Sequence, residues 1–302
     1  MRQIGIMLPT AAPDARPETV LEYGRRAEAA GVHALWLLDR LVFDNAEPLV
    51  SLGALAAATT RVRLGTSVLL GALRPPPLLA KMLATLDMLS GGRLVLGLGV
   101  GSRPDDFAAA GVPFARRGGR LAELIAILRL AWSGAPLRYQ GRHYQLDVGP
   151  VGPRPVQAGG PPIWIGGSAE PALRRVGRLA DGYIGTSSGG PEGVRAAWAR
   201  VRQHAAAAGR DPAALTLGAL VWAAVDNDHD RAVERAGRFL RHYYPPARAQ
   251  VSPALLLGPP AACIQRAEEY FAAGVQMLII GPVTADPDHF DRLLSEVVAR
   301  LL

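Results

Sequence analysis

Along the chain, short apolar runs alternate with longer amphipathic segments that end in glycine. Residues 3–8 form the first apolar run and read as a strand. A helix is predicted from Pro17, with Val20, Leu21, Gly24 and Ala27 on one face and Gly31 as its C-terminal cap. The chain then enters Ala34-Leu35-Trp36-Leu37-Leu38, which is apolar on both faces. Such runs belong to parallel sheets covered by helices. The joint Ala29-Ala30-Gly31-Val32 is echoed by Ala272-Ala273-Gly274-Val275 before another apolar run. Strands are predicted at 3–8, 34–38, 62–69, 94–99, 162–166, 182–186, 215–225 and 276–281, each followed by helical sequence.

Eight βα units within 302 residues predict a single α/β domain over 1–302, a (β/α)8 TIM barrel. A doubly wound open sheet is the alternative, because periodicity does not show closure. Two insertions exceed a minimal barrel. Residues 134–161, after the fourth strand, carry alternating Leu137, Tyr139, His143, Tyr144 and Leu146 and predict a hairpin. Residues 226–257, after the seventh, hold a helix and Arg241-His242-Tyr243-Tyr244-Pro245-Pro246. Insertions of this length serve as lids, packing additions or dimer contacts.

Composition narrows the class. With 49% apolar and 20% charged residues the chain is globular, and no apolar stretch reaches the length of a membrane span. The single cysteine, Cys263, forms no internal disulfide, so a soluble cytoplasmic protein is expected. Of 33 basic residues only Lys81 is lysine, and it lies in a predicted helix away from the strand ends, which disfavours a Schiff-base aldolase. The arginines behind the net charge of +7 are spread along amphipathic helices rather than interleaved with aromatics, which argues against nucleic acid. No H-x-x-x-H or C-x-x-C spacing supports a metal site.

In a barrel, chemistry is expected where strands end. Those ends read Leu8-Pro9-Thr10, Asp39-Arg40, Ser67-Val68-Leu69-Leu70, Gly99-Val100-Gly101-Ser102, Gly166-Gly167-Ser168, Thr186-Ser187-Ser188, Trp222-Ala223 and Gly281-Pro282. Asp39 closes an otherwise apolar strand, either to meet a ligand or to pair with a nearby arginine. Gly97, Gly99 and Gly101 fail the dinucleotide fingerprint, whose third glycine would fall at Ser102. Gly166-Gly167-Ser168, by contrast, leads into a helix start at Pro171, where backbone N–H groups face an anion. Arg174, Arg175 and Arg178 follow within two turns, as a phosphate grip or as a solvated basic face. His143 and His242 lie in the insertions, either at the surface or within reach of the site.

Several phrases, in this order, are similar to the bacterial-luciferase-like superfamily of flavin- and deazaflavin-dependent oxidoreductases. They are Ala34-Leu35-Trp36-Leu37-Leu38-Asp39, Arg61-Val62-Arg63-Leu64-Gly65-Thr66-Ser67-Val68-Leu69 and Leu83-Ala84-Thr85-Leu86-Asp87-Met88-Leu89-Ser90-Gly91-Gly92-Arg93. Gly111-Val112-Pro113-Phe114, Pro161-Pro162-Ile163-Trp164-Ile165-Gly166-Gly167-Ser168 and Leu179-Ala180-Asp181-Gly182-Tyr183-Ile184 follow. The resemblance spans nearly the whole chain and is strongest to the branch that uses coenzyme F420, a deazaflavin.

That resemblance implies a (β/α)8 barrel that moves a hydride between coenzyme F420 and a small organic substrate. It also implies a non-prolyl cis peptide at Ser67–Val68 behind the ring, and contact between Asp39 and the deazaflavin. Leu70, Gly101 and Asp105 would line the ring and ribityl region, and Gly166, Gly167, Ser168 and Ala169 would hold the phosphate. Leu8, Arg40, Ser102, Thr186 and Trp222 would form the substrate pocket. A homodimer and a separate flavin or deazaflavin reductase as partner are further expectations. Sugar-phosphate dehydrogenases of the branch carry a histidine, a glutamate and a lysine where this chain has Arg40, Ser102 and Gly189. Oxidation of glucose 6-phosphate is therefore not expected, and proton transfer is left among water ordered by Arg40, Asp105, Asp106 and the substrate itself. A monooxygenase fed with reduced FMN and using O2 is the alternative; a non-catalytic flavin-binding protein is another.

Overall fold

The computed structural model describes residues 2–302. Its strands, in chain order, are β1 (Gln3–Met7), β2 (Ala34–Leu37), β3 (Arg63–Thr66), β4 (Leu94–Leu98), β5 (Pro136–Gln140), β6 (Gln145–Pro150), β7 (Ile163–Gly166), β8 (Gly182–Thr186), β9 (Thr216–Val225), β10 (Leu256–Gly258) and β11 (Met277–Pro282). Eight of them run in the order β9-β11-β1-β2-β3-β4-β7-β8, all parallel, and β8 pairs back onto β9. That last pairing, from Gly182↔Thr216 to Thr186↔Leu220, closes the barrel and excludes the open sheet.

Both insertions lie where the periodicity puts them. β5 and β6 form an antiparallel hairpin after the fourth barrel strand, and residues 226–257 supply the helix His229–Tyr243. β10, at the end of that insertion, pairs in parallel with the C-terminal end of β9, Ala223–Val225, as a ninth strand. One strand is shorter than expected. The run at 62–69 is a strand only over Arg63–Thr66; the Ser67–Val68 peptide that follows is cis, and Leu69 keeps a single bridge to Leu98. The first helix also starts at Thr19 rather than at Pro17.

Period-two alternation divides the core. Ile4, Ile6, Leu35 and Leu37 point outwards and pack with Val20, Tyr23 and Ala27 of the helix Thr19–Ala29. Met7, Ala34, Trp36, Leu38, Trp164 and Trp222 point into the barrel. Three tryptophans fill that interior, and glycines on neighbouring strands make room for them. A Cβ on Gly5 or Gly65 would stand 2.5 Å from the Trp36 ring, and one on Gly182 would stand 2.6 Å from Trp164. Gly281 faces Trp222 in the same way. Large beside small is how a closed barrel packs its centre. The Trp36 and Trp164 rings lie 5.5 Å apart.

Buried carboxylates tie the helical layer together. Asp87 accepts the N–H groups of Val156 and Gln157 at 2.8 and 3.0 Å and so anchors the chain leaving the hairpin. Among the described residues no helix is long and apolar enough to cross a membrane, and no cluster of ligating side chains could hold a metal ion.

His289 packs behind β9, its Nε2 accepting the N–H of Val225 at 3.0 Å. Burial, reinforced by Arg235, pushes its pKa down to about 4. Above pH 6.5 the imidazole is neutral in both folded and unfolded chains. Between pH 6.5 and 4 only the unfolded chain takes the proton, so stability drops as the pH drops, by up to about 3 kcal/mol. Urea denaturation across that window is expected to show a shallower decline for His289→Gln than for the wild type. Parallel declines would remove His289 from the acid response.

Candidate active site

Two cavities open at the C-terminal ends of the strands. The first, about 160 Å³, is walled by Asp39, Arg40, Leu70, Trp222, Tyr243 and Tyr244 among others. The second, about 400 Å³, runs over Gly99, Gly101 and Gly166 to Ala169 and Thr186. Ser67, Val68, Gly101, Ser102, Leu220, Trp222 and Tyr244 line both, so the two are lobes of one trough.

Asp39 sets the first lobe. Its side chain is 3% exposed, and Oδ2 accepts the N–H of Leu70 at 2.9 Å and Arg74 Nη1 at 2.7 Å. Arg74 also reaches Glu47 at 2.7 Å. Burial opposes its charge, but bonds from Asp39 and Glu47 prevail and its pKa is raised. The pair fastens the turn after β3 to the end of β2. Val68 projects from that turn against the glycine wall, where a Cβ on Gly166 would stand 2.9 Å from Val68 Cγ1.

Asp106 does the same for the loop after β2. Its Oδ1 accepts the N–H groups of Leu41 and Val42 at 3.0 and 2.8 Å, and Oδ2 accepts Arg40 Nε at 2.6 Å. The Arg40 side chain is 6% exposed, and its buried Nη1 meets no acceptor among the described residues. Arg103 donates to the carbonyl of Tyr243, tying the second insertion to the mouth. Trp222 Nε1 donates to the Tyr244 hydroxyl at 3.1 Å. Burial raises the Tyr243 pKa, so that phenol stays protonated.

The second lobe has a different character. Arg117 is the one charged residue on its wall among the described residues. That guanidinium donates to the carbonyls of Gly101 and Phe114 at 3.1 and 2.9 Å and lies 3.8 Å over the Phe114 ring. Opposite stands the start of the helix Glu170–Leu179. The N–H groups of Ser168 and Ala169 have no acceptor among the described residues. Glu170 turns away, its carboxylate held by Arg200 and His204 at 2.8 and 2.7 Å. Free N–H groups at a helix start, one arginine and no carboxylate suit a phosphate.

The sequence pattern of the luciferase-like monooxygenase family matches residues 2–277. The chain belongs to that family.

Within it, the chain is 31% identical over 229 residues to an F420-dependent glucose-6-phosphate dehydrogenase of Amycolatopsis mediterranei, covering 72% of this chain and 68% of that one. It is 39% identical over 164 residues to an uncharacterized protein of Mycobacterium tuberculosis, covering 54% of this chain; it spans 56% of that relative. The fold is shared with an F420-dependent secondary alcohol dehydrogenase bound to an F420–acetone adduct, at TM-score 0.87 and 22% identity, over 99% of both chains. It is shared too with a monooxygenase from Streptomyces bottropensis, at TM-score 0.85 and 22% identity, over 100% of this chain and 98% of that one.

On this luciferase-like barrel the residues singled out by sequence separate into those on the trough and those off it. Asp39, Arg40, Ser67, Val68, Leu70, Gly101, Ser102, Gly166, Gly167, Ser168, Ala169, Thr186 and Trp222 all lie on the trough, and the cis peptide is at Ser67–Val68. Leu8 does not: it is 1% exposed and alternates with Ile4 and Ile6, so it faces the helices while Met7 faces the interior. Asp105 also lies off the trough. Its half-exposed carboxylate sits 3.5 Å from Arg40 and accepts the N–H of Asp106. Asp106 lines the first lobe, where its three donors make it an anchor of the loop after β2. Arg174, Arg175 and Arg178 line a separate cavity and not the lobe of Gly166–Ala169. Neither His143 nor His242 lines either lobe.

Sequence reasoning missed Arg74, Arg103 and Arg117. A cation four residues beyond Leu70 was the available signal for Arg74, since a buried carboxylate demands a partner. Tyr243 and Tyr244 were visible only as part of an aromatic insertion segment.

Removing one partner of a buried pair strands the other. Asp39→Ala is expected to lower the unfolding free energy by about 3 kcal/mol, measured by urea denaturation. A loss below about 1 kcal/mol would mean that the carboxylate does not hold the turn.

Proposed function

We propose that the chain is an oxidoreductase that moves a hydride between coenzyme F420 and a small organic substrate. The supporting observation is the two-lobed trough, whose wide lobe ends in free N–H groups and Arg117 without a carboxylate. A flat ligand with a phosphate at one end fits that arrangement, with its ring against Val68 and its phosphate at Ser168 and Ala169. The volume, about 400 Å³, falls among small-molecule sites. The relative named an F420-dependent dehydrogenase supports the choice of coenzyme.

When bound, the deazaflavin supplies the ring carbon that takes up or gives the hydride, so the protein's part is binding and orientation. The Asp39–Arg74 pair holds the turn under the ring. Arg40, Ser102, Trp222, Tyr243 and Tyr244 wall the space left for substrate. Asp39 and Asp106 already carry their donors, so neither serves as a free base. Arg40 Nη1 offers a buried donor to a carbonyl or carboxylate oxygen of the substrate.

Fluorescence titration of the purified protein with coenzyme F420, and separately with FMN, tests this reading. Micromolar or tighter binding of F420 is expected. Binding of FMN with none of the deazaflavin would overturn it in favour of a reduced-FMN monooxygenase. Glucose 6-phosphate is expected to give no turnover with F420, because Arg40, Ser102 and Gly189 replace the groups a sugar phosphate needs, and Gly189 stands in open space.

A further inference from the structure

A third cavity, about 450 Å³, lies between the helices Arg117–Trp132 and Glu170–Leu179, beside the hairpin. Gly118, Gly119, Tyr139, Arg174, Arg175 and Arg178 line it. Glu123 is also on its wall, but that carboxylate is occupied by the N–H groups of Arg142, His143 and Tyr144, at 3.0, 2.9 and 3.1 Å.

The three arginines lack counterions. Other exposed arginines on neighbouring helices are paired, as in Arg129–Asp181 and Arg200–Glu170. Arg174, Arg175 and Arg178 have no ion pair and donate no hydrogen bond among the described residues. Arg175 is half-buried over Gly118, where a Cβ would stand 2.7 Å from Nη2, and loss of hydration lowers its pKa. Like charges three and four residues apart on a helix repel. A concave wall bearing three such charges attracts an anion strongly.

This cavity abuts the phosphate end of the trough. Arg117 lines the trough and Gly118 the third cavity; Ala169 and Ala172 line the one and Pro171 the other. The two cavities thus share the first turn of the helix Glu170–Leu179 and the start of the helix Arg117–Trp132. We propose that Arg174, Arg175 and Arg178 form a second anion subsite, which binds carboxylates on the tail beyond the cofactor's phosphate. The proposal rests on the reading of the trough as an F420 site. FMN ends at its phosphate and has nothing to place there.

The test compares coenzyme F420, with its glutamyl tail, against the tailless deazaflavin 5′-phosphate by fluorescence titration. The wild type is expected to bind the tailed form about tenfold tighter at low salt, with the gap closing in 0.5 M NaCl as screening rises. In R174Q/R175Q/R178Q the gap is expected to vanish while affinity for the tailless form stays within about twofold. Equal wild-type affinities for the two forms, or equal weakening of both in the variant, would overturn the subsite and leave the trough reading standing. Failure of both forms to bind would overturn both. Should the variant not fold, the salt dependence of the wild-type gap decides alone.

Discussion

Asp39 ends a strand of apolar side chains and is almost wholly buried, so donors have to come to it. They come from one place, the turn after β3, as the N–H of Leu70 and the guanidinium of Arg74. The carboxylate therefore decides where that turn lies, and with it where Val68 stands between the two lobes. Asp106 imposes the same constraint on the loop after β2 and brings Arg40 with it. Each carboxylate holds a wall of the first lobe in place.

Beneath these loops the barrel gives them a rigid base. Trp36, Trp164 and Trp222 fill the interior, and Gly5, Gly65, Gly182 and Gly281 leave space for their rings. The floor of the trough is thus filled by buried side chains, while its rim is made of loops. The second insertion completes the rim: Tyr243 and Tyr244 close over Trp222, and Arg103 fixes their backbone. The first insertion works further out, with Tyr139 on the wall of the third cavity.

The eight βα units are legible in the sequence because an apolar run with two buried faces, set between amphipathic helices, suits little besides a covered parallel strand. Closure is not, since the pairing of β8 with β9 joins segments whose local pattern would suit an open sheet equally well. The glycine-rich strand ends also point to the trough, because a missing side chain is visible in the sequence itself. What side chains do there is less legible. Position alone puts Leu8 at the mouth, although its parity with Ile4 and Ile6 turns it outwards. Asp106 reads as a free carboxylate until its donors are known, and the N–H groups of Leu41 and Val42 that it accepts are a tertiary fact. Arg174, Arg175 and Arg178 read as partners of Gly166–Ala169 because they are near in sequence. A helix rotates such neighbours onto another face, and here that face is a cavity of its own.

The arrangement of cofactor and protein is tested most directly by a crystal structure of the chain with coenzyme F420 bound. The account predicts phosphate oxygens within hydrogen-bonding distance of the N–H groups of Ser168 and Ala169, with Arg117 beside them and the deazaflavin ring lying on Val68. A ring seated away from Val68, or a phosphate held anywhere other than that helix start, would contradict it.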